Sequence, residues 1–317
     1  MRSSLRRTAA VLWTLLFVFA AGCSVTPMPE KLAAWSTQLR NEQPAGSYIS
    51  VFERDETQLI FMAAKHSADP RSDTFQIIDE VYDMFDVEIL IKEGFPYSRG
   101  ENDQATIKRV LNFPIENGLQ IGGEAFPSIA GAVDEGAIIV GGEPDDPFIR
   151  DRMKSLGFSE EDVVGFYTLR TVPQWLREGR IVDYEDPRLE QLLISELNTN
   201  RKRLELPDSV LRGTAAWKAW YNTANKKEFG SSFNNEEVGP LIDGEYKTNT
   251  IASSISRIRA EFLHDLYVDS VRRRLDTFVI FGASHTLIHR PAIEAVFGPP
   301  CYVGEEAEAA VVSCRKQ

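Results

Sequence analysis

Asp276-Thr-Phe-Val-Ile-Phe-Gly282-Ala-Ser-His285-Thr-Leu-Ile-His289 decides how this chain is read. Thr277 to Phe281 is β-branched and aromatic, with no polar alternation. Such a run suits a strand covered on both faces, as in a parallel or mixed sheet. Gly282 lets the backbone turn, and Ser284 is a suitable N-cap for a following helix. That helix carries His285 and His289 one turn apart on one face. The chain has four histidines, and two are here. A histidine just past the carboxyl end of an α/β strand stands where such folds place ligands. The plainer alternative is a capped strand-to-helix turn with a surface histidine.

Upstream, Ser47 to Arg54 and Gln58 to Ala63 read as two strands joined by a tight polar turn at Asp55-Glu56. In the second, Leu59 to Ala64 is wholly apolar, and Lys65-His66 follows. Asp73 or Thr74 then caps a helix with Phe75, Ile77, Ile78, Val81, Tyr82 and Phe85 at helical spacing. A strand at Val87 to Ile91 ends in Lys92-Glu93-Gly94, and a loop with one basic residue, Arg99, follows. The pattern repeats in outline: a short strand at Leu119 to Ile121, Gly122-Gly123-Glu124, a helix from Phe126 to Glu135, and a strand at Ala137 to Val140 that leads to Gly142-Glu143. The expectation is an α/β fold whose mixed central sheet is built from two βαβ repeats.

From about Pro147 to Leu275 the chain reads as a large helical insertion, with helices expected at 148–156, 160–176, 188–197, 208–222 and 250–275. Trp217 and Trp220 are expected to cover a groove or the core. Phe229 to Lys247 is rich in Asn, Gly and Ser and reads as a mobile loop.

The N-terminus reads as a leader. Arg2, Arg6 and Arg7 precede an apolar run, Ala9 to Ala21, and then Gly22-Cys23. The run is short for a membrane-spanning helix, which needs about 20 residues. Removing residues 1–22 takes away three arginines and no acids, so the net charge goes from −12 to −15. So acidic a chain argues against a nucleic-acid partner. Residues 23–46 carry Pro27, Pro29 and Pro44 and read as a tether, and 47–317 as a single domain. In an oxidising compartment Cys301 and Cys314 suggest a disulfide that pins the C-terminal tail.

The residues expected at strand carboxyl ends are His66, Glu93, Glu124, Glu143 and His285. Two imidazoles and several carboxylates at one sheet edge could bind a divalent metal such as Zn, Mn or Co, with His66 and His285 as ligands and a water activated on it. They could equally use a His or Glu as general base without metal. Both routes lead to hydrolysis of a peptide or small-molecule substrate. Glu124 and Glu143 have a plainer explanation as carboxylates at helix N-termini.

These residues carry a resemblance. A strand ending at His66, Glu93 ending the next, Gly-Gly-Glu143-Pro and the late Gly282-Ala-Ser-His285 resemble the TraB/PrgY/GumN–TIKI superfamily, which takes in erythromycin esterases and ChaN-like haem-binding lipoproteins. The family's late Gly-x-x-His is matched by Gly282 to His285; its early Gly-Thr-x-His is reduced to Ala63-Ala64-Lys65-His66. Asn249 stands where the family often has Arg-Asn or Arg-Asp, with Lys247-Thr248 in place of the arginine. The resemblance implies a helical lid over a site at the strands' carboxyl ends. It also implies one of three activities: metal-dependent proteolysis, metal-independent hydrolysis, or haem binding with walls from Trp217 or Trp220. By resemblance to bacterial lipoproteins, Cys23 is lipidated and Ser24 directs sorting to the outer membrane, which would make the membrane a partner through that lipid.

Overall fold

The structure is a computed structural model and describes residues 26–96 and 100–314. The leader, Cys23 and Arg99 lie outside the described residues.

The fold is mixed α/β. Six strands form one sheet in the order β6-β3-β7-β2-β1-β8: β6 (Ile138–Glu143), β3 (Ile89–Pro96), β7 (Thr277–Gly282), β2 (Thr57–Ala64), β1 (Tyr48–Arg54) and β8 (Tyr302–Gly304). The four strands from β6 to β2 run parallel, and β1 is antiparallel to both its neighbours. Asp55 and Glu56 close the β1–β2 hairpin with positive φ at both positions, the geometry whose twist matches paired strands.

The parallel strands are apolar along their middles because helices cover both faces. Ile60, Met62, Ala64 and Ile280 pack against α2 (Asp73–Met84), α4 (Ala125–Asp134) and α12 (Ala307–Cys314). Leu59, Phe61, Ile91, Val279 and Phe281 face the opposite way, onto α10 (Lys247–Arg272) and α11 (Ala283–Phe297). Alternate residues of one strand therefore enter two different cores.

The second strand-helix-strand unit differs from the expectation. Leu119–Gln120 (β5) pairs only with Ile115–Glu116 (β4), in a separate two-stranded sheet. The strand beside β6 is instead β3, so two parallel units share β3. Three apolar residues in an exposed hairpin were too few to compete for a place in the buried sheet.

The helical insertion is present. It runs through α5 (Asp146–Ser155), α6 (Glu160–Leu169), α7 (Val172–Arg177), α8 (Arg188–Arg203) and α9 (Thr214–Asn225) into α10. Trp217 is fully buried in the insertion's own core, where its indole donates to the Gly165 carbonyl, and Trp220 packs beside it. The stretch expected to be mobile, 229–247, is fastened. Glu237 is fully buried and accepts from Tyr221, Asn225 and Lys227, and Phe229 and Phe233 pack on Tyr221.

α10 is 26 residues long, about 39 Å, and joins the two parts. Ile251, Ile255 and Ile258 belong to the insertion's core, whereas Leu263, Tyr267 and Val271 belong to the sheet's. Arg259 sits where the helix passes from one core to the other.

The tether is not wholly free. Leu32 and Trp35 are buried against Ala260, Ile288 and Ala292, and the Met28 amide donates to His264 Nε2. Cys301 and Cys314 are at disulfide-bonding distance, S–S 1.99 Å, linking β8 to α12.

Candidate active site

His66, Glu93, Glu143 and Gly282 all stand at the carboxyl edge of the parallel strands, and Glu124 reaches the same edge from the start of α4. A cleft of about 920 Å³ opens there between sheet and insertion, lined by His66, Lys92, Glu93, Glu124, Glu143 and Arg259 among others.

His66 follows β2. Its Nδ1 lies 2.8 Å from Glu124 Oε1. A carboxylate only accepts, so Nδ1 carries the proton and Nε2 is the free nitrogen of the neutral ring. Nε2 lies 3.7 Å from Glu93 Oε2. Backbone packing holds this pair together. Gly123 has φ +58°, and a Cβ there would meet the Ser67 carbonyl oxygen at 2.7 Å. Only glycine allows the turn before Glu124 to come this close to the chain just after His66. Glu124 precedes α4 but makes no side-chain capping bond. Its carboxylate is used on His66 and on the buried Lys92, whose Nζ is 3.3 Å away.

Glu93 lies at the centre. It accepts from the Gly282 amide at 2.7 Å and from Arg259 Nη2 at 3.2 Å, and Arg259 also pairs with Glu143. Gly282 leaves the site room: a Cβ there would sit 3.2 Å from His66 Nε2, tight enough to shift the imidazole by a few tenths of an ångström, and 3.5 Å from Glu93 Oε2, an ordinary contact.

The electrostatics separate the roles. Burial pushes Glu124 up, but the His66 hydrogen bond and the Lys92 charge outweigh it and hold the carboxyl at about 2. The Glu124 bond in turn holds His66 above its usual 6.5. Burial also raises Glu93, and His285, Arg259, the Gly282 amide and His66 together bring it below its ordinary value. His285 is itself pushed down to about 4, first by burial and then by Arg259. It is uncharged near neutral pH, so the permanent cation beside Glu93 is Arg259.

The structure divides the expected site. His66, Glu93 and Glu143 line the cleft, whereas His285 lines a second pocket, of about 230 Å³, together with Trp35, Arg170 and Arg259. His285 Nε2 reaches Glu93 Oε1 only at 3.9 Å. The helix starts at Ala283 rather than after Ser284, and His289 is fully buried between Phe61 and Tyr267. The metal site expected from His66, His285 and a carboxylate is not assembled: among the described residues no three His, Cys, Asp or Glu groups converge on one point. The position between Glu93 and Glu143 is taken by the Arg259 guanidinium, a cation the chain supplies itself. Haem fits no better. Trp217 and Trp220, the expected walls, are packed in the insertion, and the cleft is ringed with charges. Asn249 holds loops together, donating to the Glu236 and Gly239 carbonyls.

The sequence reading did not single out Lys92 or Arg259. Arg259 had a signal: Ile255, Arg259 and Leu263 are spaced by four, and the outer two are buried, so the arginine stands on a helix face turned inward. Lys92 had one too, as a lysine ending an apolar strand next to Glu93.

Comparison of the chain with protein-family models, curated proteins and solved structures found no match. Among the described residues no helix is long and apolar enough to cross a membrane.

Proposed function

We propose that this chain is a metal-independent hydrolase of ester or peptide bonds, with His66 as general base. The observation that carries the reading is the His66 Nδ1–Glu124 bond, which fixes one tautomer and leaves Nε2 to take a proton at the cleft. Glu93 is the weaker candidate base, because Arg259 and the Gly282 amide stabilise its charged form.

In this reading His66 Nε2 takes a proton from water as the water oxygen bonds to the substrate carbonyl carbon. The carbonyl π pair moves to oxygen, and the resulting oxyanion faces the cations that line the cleft, Lys92 and Arg259. The C–O or C–N bond then breaks, and the leaving group takes the proton back from the His66 imidazolium. An acid and an alcohol or amine are released. Glu124 orients His66, while Glu93 and Glu143 hold Arg259 in place. His285 shapes the far side of Glu93.

The resemblance to the TraB/PrgY/GumN–TIKI superfamily supports hydrolysis, and the absence of a convergent donor set among the described residues favours its esterase-like branch. The same proposal includes a lipid anchor on Cys23 and a location on the periplasmic side of the outer membrane, supported by the leader pattern and by the Cys301–Cys314 pair.

The test is a screen of p-nitrophenyl esters and short fluorogenic peptides with wild-type protein and His66→Ala. Turnover that falls by about 10²–10⁴-fold in the variant supports the role. Turnover equal in both proteins, or none in the wild type on any substrate, rejects it.

A further inference from the structure

Among the described residues five fixed cations line the cleft: Lys92, Arg109, Arg170, Arg203 and Arg259. Three are neutralised, Lys92 by Glu124, Arg203 by Asp146 at 2.8 Å, and Arg259 by Glu93 and Glu143. Arg109 and Arg170 form no ion pair among the described residues, and the residues outside the description contain no acidic side chain that could supply one.

The cleft's acids are all engaged. Glu93 and Glu143 hold Arg259, Glu124 holds His66 and Lys92, Asp146 holds Arg203, and Glu205 faces Arg150 at 3.8 Å. Asp145 accepts from the Phe148 amide at the start of α5. A chain with 47 acids and 35 bases therefore keeps two arginines without acids in one cleft. Arg170 is also pre-positioned. Its guanidinium lies 4.6 Å from the centre of the buried Tyr167 ring, a cation–π contact that steadies the group and leaves its edge donors available. Arg170 lines both the cleft and the smaller His285 pocket, at their junction.

We infer that the substrate of this cleft carries an anionic group, a carboxylate or a phosphate, and that Arg109 and Arg170 hold it. The inference rests on the proposed hydrolase for the identity of the bond cleaved, but not for the binding of the anion. Arginine's planar fork suits either oxyanion. Among the described residues six acids and five fixed cations line the cleft, so an anion is drawn by the two arginines that no acid pairs with rather than by a net positive charge.

The experiment is calorimetric titration of the His66→Ala chain at low ionic strength with two probes, glutarate and inorganic phosphate. Binding is read without turnover, so a failed hydrolase proposal does not decide it. The inference expects at least one probe to bind. It expects affinity to fall by about 10-fold or more in Arg109→Gln/Arg170→Gln, and much less in Arg290→Gln, which removes a distant surface charge paired with Glu294. Glutarate alone would identify a carboxylate and phosphate alone a phosphate ester. Circular dichroism on the double variant checks folding, and Arg109→Lys/Arg170→Lys should recover part of the loss. No binding by either probe, or equal weakening in Arg290→Gln, would overturn it.

Discussion

Arg259 Nη2 lies 3.2 Å from Glu93 Oε1, across 166 residues of sequence, and the same guanidinium pairs with Glu143. This contact ties the helical insertion to the carboxyl edge of the sheet. It also puts the chain's own cation where a bound metal would otherwise balance two carboxylates. Arg259→Met should remove the permanent cation from both acids, leaving Glu93 with the Gly282 amide, and their side chains are only about one-fifth exposed. Stability should drop by about 2 kcal/mol and hydrolysis by about 10²-fold. Arg259→Lys keeps the charge on a shorter side chain that must stretch to reach the two acids now met by Nη2, so it should fall between. Denaturant unfolding alongside rate measurements checks both effects.

The His66–Glu124 pair sets a pH window. Glu124 is held well below its ordinary 4.5, so its stabilising share is present above 4.5 and is lost as pH falls toward about 2. His66 is held above 6.5, so its share is complete below 6.5 and is lost as pH rises through the folded value. The pair therefore stabilises most between these limits. The proposed general base acts as the neutral ring, so kcat/KM should rise only on the alkaline side of 6.5. Glu124→Gln should move that rise to lower pH and reduce the plateau by about 10-fold. An unmoved midpoint would break the assignment.

Gly282→Ala tests space at the centre of the site. The backbone there has φ −53°, which alanine tolerates, so stability should change by less than about 1 kcal/mol. The new methyl would sit 3.2 Å from His66 Nε2 and shift the imidazole by a few tenths of an ångström, while meeting Glu93 Oε2 in ordinary contact. A fall of about 10-fold in rate is expected, with the melting temperature nearly unchanged.

The Cys301–Cys314 link closes a short loop, with the two cysteines 13 residues apart. Cys301→Ser/Cys314→Ser should cost about 2–3 kcal/mol. The pair lies at the β8 edge of the sheet, beyond β1, whereas the site lies between β2 and β6. Stability should therefore fall with little loss of rate.

Much of the fold was legible because Thr277–Phe281, Leu59–Ala64 and the amphipathic helices follow simple periodicities. The strand-end rule likewise led to His66, Glu93 and Glu143. The misreading at Leu119–Ile121 came from treating a short apolar run as a sheet strand, when sheet order depends on contacts distant in sequence. His285 was read as a site residue past the strand end, with a surface histidine as the plainer alternative, and it is buried there. Its division from the cleft depends on Arg259, whose partners are more than 100 residues away. The use of Glu124 on His66 rather than on its own helix likewise depended on the close passage of Gly123 past Ser67.

The most direct test of the central claim is hydrolysis by the purified chain after exhaustive treatment with a strong chelator, compared with untreated protein and with His66→Ala. The account predicts that chelated wild type keeps its full rate and that His66→Ala loses about 10²–10⁴-fold whether or not metal is added. Activity that disappears on chelation and returns with Zn, Mn or Co would contradict it.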